Sequence, residues 1–356
     1  MARTVVTIMA GGTGGHVFPG LAVAAALGRR GAEVRWLGGA RGLEGRLVPA
    51  AGIPLRRLPV EGLRGRGPAG WLAAPWRVGR ALAAALAALR RDRPAVVLGM
   101  GGYAAGPGGV AAWLLGIPLV IHEQNAVAGL TNRLLARLAR RRLEAFPGTL
   151  PGGEHVGNPV REAIAALPPP RARLAGRGGP LRVLVLGGSQ GAAALNRVVP
   201  EAAAQAGVAL AIRHQAGAGK EAAARAAYAA AGVEAEVVPF LDDMAAAYGW
   251  ADLVVARAGA LTVAELAAAG VPSILVPYPH AVDDHQAANA AWLAAAGAAW
   301  VVREAELDAP RLAGLLAQAA GDREGLVRMA EAARGRAVTD AAARVAEACL
   351  AAAGGR

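Results

Sequence analysis

The sequence predicts an α/β protein of two Rossmann-like, doubly wound domains, and three observations carry that expectation. Both halves open alike, with an apolar β-rich run (residues 4–10; Leu181–Leu186), a glycine-dense turn (11–15; 187–191) and a helical pattern (19–30; from Ala192). These runs are continuously apolar, as strands of a parallel sheet covered on both faces must be. The length of 356 residues, 55% of them hydrophobic, suits about two packed cores.

Further strands follow in order. The first half offers residues 33–37, 95–98 and 118–122; the second offers 210–213, 236–239, Leu253–Ala256 and 273–277. Helical patterns separate them, as doubly wound folds require. The stretch 167–179 (LPPPRARLAGRGG) reads as a linker, because three consecutive prolines cannot continue a helix. The boundary is therefore expected near 165, giving domains 1–165 and 166–356, with the helices after Pro310 free to pack back on the first. Ligands bind at the carboxyl ends of parallel strands. Two such domains are expected to face each other across a cleft lined by both glycine turns.

Composition narrows the partners. The chain carries 38 Lys+Arg against 26 Asp+Glu, a net charge of +12. Residues 1–160 hold 20 basic and 7 acidic residues, so all the excess lies in the first half. An anionic partner for that half fits: nucleic acid, a membrane surface or a phosphorylated substrate. A plainly solvated arginine-rich surface fits as well. Aromatic residues make up only 4%, with no RNA-binding signature, which weakens nucleic acid as a partner. The single cysteine, Cys349, excludes a disulfide framework and a cysteine-based zinc cluster. The opening MARTVVTIMA lacks signal-peptide layout, and no stretch needs to cross a membrane, so a soluble cytoplasmic protein is expected.

The glycine turns carry the chemistry. Gly11–Gly15, followed by His16, offers backbone N–H groups and a helix N-terminus to an anion. It lacks the Lys-Ser/Thr of a P-loop, and Val17 stands where G-x-G-x-x-G needs its third glycine. The plainer reading is a tight turn that needs positive φ. The second turn formally matches the G-x-S-x-G nucleophile elbow, with Asp252 and His285 as partners for Ser189. Alternatively Ser189 and its neighbouring amides donate to a phosphate. Thr262 and Glu265 form a T-x-x-E capping box, or Glu265 accepts from a ribose diol. A third glycine-dense stretch, 101–109, follows the strand at 95–98. His122 ends another strand, and Asn125 and Arg161 fall just beyond strands. No D-x-D occurs, and the pairs Asp242-Asp243 and Asp283-Asp284 lack metal-ligand spacing, so neither a metal nor another cofactor is implied. A diphosphate would then be met by helix N-termini, Arg161 and Ser189.

These segments together resemble one family. GGTGGHVFPGLAVA (11–24), GLRGRG (62–67), VLGMGGYAAGPGG (97–109), IHEQNAVAGLTN (121–132), AFPG (145–148), GNPVR (157–161), VLGGSQGA (185–192), FLDDMAAAY (240–248) and RAGALTVAELAAAG (257–270) are similar to the MurG family of glycosyltransferases, in order and over nearly the whole chain. The resemblance implies a GT-B fold and inverting, metal-independent transfer of N-acetylglucosamine from UDP-GlcNAc to the MurNAc C4 hydroxyl of lipid I. It also implies a peripheral position on the cytoplasmic face of the cell membrane. It places Thr13, Gly14 and Gly15 beside the sugar and diphosphate, and Asn125, Arg161 and Ser189 at donor-binding positions. Leu241, isoleucine in relatives, meets the uracil through its main chain. Ala260, Leu261, Thr262, Val263, Ala264 and Glu265 match the diphosphate and ribose segment, with Glu265 on the ribose hydroxyls. Gln286 matches a glutamine on the GlcNAc hydroxyls, although its context HAVDDHQAAN departs from the family pattern.

An inverting transfer needs a base for the attacking hydroxyl, and His16 is the best-placed candidate; its other role would be to hydrogen-bond a phosphate. The basic first half gains a purpose too. Arg64, Arg66, Arg77 and Arg80 flank Trp71, Leu72, Trp76 and Val78, an amphipathic patch suited to anionic lipid. The resemblance puts the membrane-facing patch here and admits Trp113 to it. An ordinary helix packed on the core is the alternative. Two other classes stay open: a serine hydrolase using Ser189, and a non-catalytic basic nucleotide-binding protein.

Overall fold

A computed structural model describes residues 3–39, 42–60, 74–188 and 191–354. The chain divides into two compact units, residues 1–161 with 338–356, and residues 162–337. The first contains a parallel sheet of β1 (Val5–Met9), β2 (Glu33–Gly39), β3 (Leu55–Leu58), β4 (Val96–Gly99), β5 (Leu119–Glu123), β6 (Arg141–Glu144) and β7 (Glu154–His155), in the order β3-β2-β1-β4-β5-β6-β7. The second sheet, also parallel, comprises β8 (Leu181–Leu186), β9 (Leu210–Gln215), β10 (Glu236–Val238), β11 (Leu253–Ala256), β12 (Ser273–Leu275) and β13 (Ala299–Val301), ordered β10-β9-β8-β11-β12-β13.

The apolar continuity of the central strands has a direct cause. On β1, Val6 and Ile8 join a core with the helices Gly14–Arg29 and Ala341–Gly354, while Met9 faces the opposite core with Leu37, Val97 and Ala111. A strand whose two faces are both covered has no polar side to show. In each sheet the strand order reverses once beside the first strand, at β1/β4 and at β8/β11. Such a reversal leaves a crevice beyond the carboxyl ends, because the connecting helices leave toward opposite faces.

Strands β3, β6 and β7 do not stand out in the sequence, because strands at or next to the edge of a sheet carry charge where the centre cannot, and β13 does not because it is only three residues long. Arg56 on β3 reaches the buried Asp92 at 2.6 Å, and Arg141 on β6 pairs with Glu154 on β7. The helix expected over 19–30 begins earlier, at Gly14, and carries Pro19 within it.

The expected linker 167–179 is a packed part of the second unit. Pro170–Leu174 forms a short helix started by the third proline, and Leu174 is buried with Val327 and Ala330. Proline at a first helical position forfeits no hydrogen bond, so the run that looks like a breaker serves as a helix start. The units divide between Arg161 and Glu162. Of the helices after Pro310, Ala309–Gly321 and Arg323–Gly335 belong to the second unit, and Ala341–Gly354 belongs to the first. Cys349 lies buried on that last helix, where burial pushes its thiol up to about 12 and keeps it unreactive.

Candidate functional site

In the first unit, the turn after β1 is held by a residue far away in sequence. Glu44 is fully buried; its Oε2 accepts from the Gly12 N–H at 3.0 Å and its Oε1 from the Gly39 N–H at 2.9 Å. One carboxylate thus ties the loop after β1 to the end of β2. The turn after β4 presses on the same loop. Gly102 has φ of +78°, and a Cβ there would stand 2.5 Å from the Gly11 carbonyl oxygen. Backbone meets backbone at that point, and only glycine fits. Thr13 is the extended N-cap residue, and Gly14 and Gly15 open the helix. Their N–H groups are among the first four of a helix, which have no intrahelical partner.

His16 follows on the first turn. Its Nδ1 lies 2.8 Å from Gln124 Oε1. Gln124 Nε2 lies 2.9 Å from His122 Nδ1 and 3.0 Å from the His122 carbonyl oxygen, and His122 Nε2 lies 2.9 Å from the Gly157 carbonyl oxygen. Burial pushes His122 down to about 4, so its ring is neutral. Glu123, also buried, accepts from the Asn125 N–H and side-chain amide, the Gly129 N–H and Asn132 Nδ2. That carboxylate shapes the loop carrying Asn125. Arg161 stacks over the Phe18 ring at 5.5 Å, on the helix that carries His16. The first unit therefore brings Thr13, Gly14, Gly15, His16 and Arg161 to one helix start, and Asn125 to the end of β5.

In the second unit, the turns after β8 and β11 lie at the reversal of strand order. A Cβ on Gly191 would run into the Ala216 carbonyl oxygen, so the loop end is glycine by necessity. Ser189 lies outside the described residues. After β11, Gly259 caps the helix Ala260–Ala269, so Thr262 stands inside the helix and the expected capping box does not form. Glu265 is buried, and its Oε2 accepts from the Tyr248 hydroxyl at 3.1 Å. Leu241 sits beyond the carboxyl end of β10. Gln286 Oε1 accepts from the Tyr278 N–H at 2.9 Å. The turn before it holds Asp283 and Asp284 at φ of +52° and +48°, two strained residues in a row. Arg303 pairs with Asp284 at 2.9 Å.

The hydrolase arrangement is overturned by Asp252. That carboxylate lies ahead of β11, at the opposite end of the sheet from the turn after β8. Its Oδ1 accepts from Arg177 at 2.8 Å, and its Oδ2 accepts from Arg323 and the Arg182 N–H, both at 3.0 Å. His285 donates from Nδ1 to the Val282 carbonyl oxygen at 2.7 Å instead. Among the described residues, no group of three or more His, Cys, Asp or Glu gathers in a way that could hold a metal ion.

Trp71, Leu72, Arg64 and Arg66 also lie outside the described residues. Trp76 and Val78 are exposed on the helix Ala74–Asp92, together with Arg80, while Arg77 is half-buried. This helix packs on Ala105–Leu114, which exposes Trp113 and Leu114 and packs in turn on Leu130–Leu135, which exposes Leu130 and Leu134. The sequence reading misses Leu114, Leu130 and Leu134, because only exposure separates them from core leucines.

Two family models match the chain: the glycosyltransferase family 28 N-terminal domain over residues 6–143, and its C-terminal domain over 182–345. The chain is 61% identical over 349 residues to the UDP-N-acetylglucosamine--N-acetylmuramyl-(pentapeptide) pyrophosphoryl-undecaprenol N-acetylglucosamine transferase of Alkalilimnicola ehrlichii, covering 97% of this chain and 98% of that protein. It is 60% identical over 352 residues to the transferase of the same name from Halorhodospira halophila, covering 98% of each. The crystal structure of Acinetobacter baumannii MurG matches with a TM-score of 0.86 and 42% identity, over 98% of this chain and 100% of that one.

Proposed function

The chain belongs to glycosyltransferase family 28 and, within it, to the MurG family, and from that premise we propose how its residues divide the work of moving N-acetylglucosamine from UDP-GlcNAc to the MurNAc C4 hydroxyl of lipid I. The observation that carries the reading is the placing of two glycine turns, one at the strand-order reversal of each sheet, where α/β folds bind ligands.

The second unit takes the donor. The main chain at Leu241 meets the uracil, Glu265 meets the ribose hydroxyls with Tyr248 fixing its carboxylate, and Gln286 meets the sugar hydroxyls. The N–H groups of Ala260, Leu261 and Thr262 open a helix, and a departing diphosphate gains most from such fixed dipoles as its charge grows. Val263 and Ala264 complete that turn, and Ser189 and Arg161 add donors to the phosphates. The first unit takes the acceptor. Thr13, Gly14 and Gly15 receive the sugar side of the reaction, Asn125 orients it, and His16 removes the proton from the attacking hydroxyl. The bond from the anomeric carbon to the diphosphate breaks as the bond from the acceptor oxygen forms on the opposite face, which inverts the centre.

The exposed face around Trp76, Val78, Trp113, Leu114, Leu130 and Leu134 rests on an anionic membrane surface, with Arg77 and Arg80 beside it. No helix among the described residues is long and apolar enough to cross a membrane. The deciding assay measures UDP release with a polyprenyl-diphosphate MurNAc-peptide acceptor and each of UDP-GlcNAc, UDP-GalNAc and UDP-glucose. Turnover with UDP-GlcNAc, dependent on the acceptor, is expected. Equal turnover with all three donors, or release without acceptor, would sink the reading.

A further inference from the structure

We propose that Gln124 and His122 are positioning residues that force the proton of neutral His16 onto Nδ1 and so leave Nε2 bare for the attacking hydroxyl. The proposal rests on the reading of His16 as the base, and it deepens that reading by supplying the device that keeps the base in its working form.

The assignment follows from one fixed end of a hydrogen-bond chain. The Gly157 carbonyl can only accept, so the His122 Nε2 lying 2.9 Å from it carries a proton. His122 is buried and neutral, which leaves its Nδ1 as an acceptor. The Gln124 nitrogen faces two acceptors, that Nδ1 at 2.9 Å and the His122 carbonyl oxygen at 3.0 Å. The amide therefore has one orientation, with its oxygen turned to His16. That oxygen, 2.8 Å from His16 Nδ1, can only accept, so Nδ1 donates. A ring with its proton on Nδ1 keeps a lone pair on Nε2. Every donor along this path points the same way, from His16 through Gln124 and His122 to Gly157.

Two further features hold the ring in place. A Cβ at Gly101 would stand 3.0 Å from His16 Cε1 and 3.1 Å from Nδ1, so the chain packs bare backbone against that edge of the imidazole. Gln124 is itself buried, so water does not compete for its amide. Moving the proton would set a bare Nδ1 against the Gln124 oxygen, and flipping the ring would set the Cδ2 carbon there; either leaves a buried acceptor unpaired. This is the logic by which a second group fixes the tautomer of a catalytic histidine, performed here by a neutral amide.

The chain has six histidines, so 15N-histidine NMR of the whole protein near neutral pH resolves the His16 ring, assigned by its loss in His16→Ala. Wild type is expected to show Nδ1 protonated and Nε2 bare. Gln124→Met keeps the length of the side chain and removes the acceptor. It is expected to move the proton to Nε2 and to lower kcat on the order of 10²-fold, with KM for UDP-GlcNAc changed less than about two-fold. Gln124→Glu, whose carboxylate still accepts from Nδ1, is expected to restore the Nδ1–H form. A wild-type ring protonated on Nε2, or a Gln124→Met ring still protonated on Nδ1, overturns the proposal. A proton that moves without any change in kcat upholds the hydrogen-bond chain and overturns the base assignment beneath it.

Discussion

At the scale of single residues, the site is built from polar side chains that would be unstable where they stand without fixed partners. Glu44, Glu123 and Glu265 are all buried carboxylates, and each accepts from backbone amides, side-chain amides or a hydroxyl. The two substrate-facing candidates among such residues should separate in kinetics. His16→Ala is expected to lower kcat by about 10²–10⁴-fold while the UDP-GlcNAc Kd stays within about two-fold. Equal losses in kcat and affinity would remove its role as base. Glu265→Ala is expected to act on the donor instead, weakening UDP-GlcNAc by roughly 1.5–3 kcal/mol, about 10- to 150-fold in Kd, as loss of a hydrogen bond to a charged group does. Direct calorimetry reads this, and an unchanged Kd would leave Glu265 as a partner of Tyr248 alone. At this scale the sequence was half legible. The types of His16, Asn125, Arg161 and Glu265, and their places after strands, mark them as candidates. Glu44, Gln124 and Tyr248 carry no such mark, because their partners lie 32, 108 and 17 residues away.

At the scale of elements, the turns set the site and the strands set the turns. The central strands are legible because double coverage demands unbroken apolar residues, and the glycines because main chain approaches main chain. The Gly102 turn makes that requirement measurable. Gly102→Ala would put a methyl group 2.5 Å from the Gly11 oxygen at φ of +78°, so about 2–4 kcal/mol of stability is expected to go, along with most turnover. Urea unfolding checks the first and the UDP-release assay the second; a variant as stable and active as wild type would show that the two turns are not in register. The segment 167–179 shows the opposite case. Its prolines and glycines carry a loop signal, yet Arg173 reaches the Ala269 and Gly270 carbonyls at 2.8 and 2.6 Å and Leu174 is buried. Local composition says where a helix can start or stop, and only packing says whether the stretch is free.

At the scale of the whole molecule, two buried histidines, one per unit, couple folding to acid. Burial pushes His122 and His214 down to about 4, below the roughly 6.5 of an unfolded histidine. Between those values the unfolded chain binds protons that the folded chain does not, so stability falls as pH falls. Each group is expected to remove about 3 kcal/mol from about pH 6.5 to about pH 4, read as a falling urea midpoint. A midpoint that stays flat over that range would mean that these rings are hydrated. In the proposed function, the exposed arginines of the first unit meet an anionic membrane surface. Arg77→Gln with Arg80→Gln is expected to weaken sedimentation with anionic vesicles by roughly ten- to thirty-fold, at about 1 kcal/mol per charge, and to leave neutral vesicles unaffected. Binding indifferent to lipid charge would return the helix Ala74–Asp92 to an ordinary packing role.

The sequence by itself determined that each half of this protein is a parallel sheet with a side-chain-free turn after its first strand, since doubly covered strands and close backbone contacts permit few residue types. It determined too, through the motifs along the chain, which family the turns belong to. Tertiary structure alone decided that the last helix completes the first unit, that Asp252 is an arginine-bound strut, and that the Gln124 amide oxygen meets His16 at Nδ1. Those outcomes depend on which donor meets which acceptor, a matter of direction and distance between residues that no local pattern encodes.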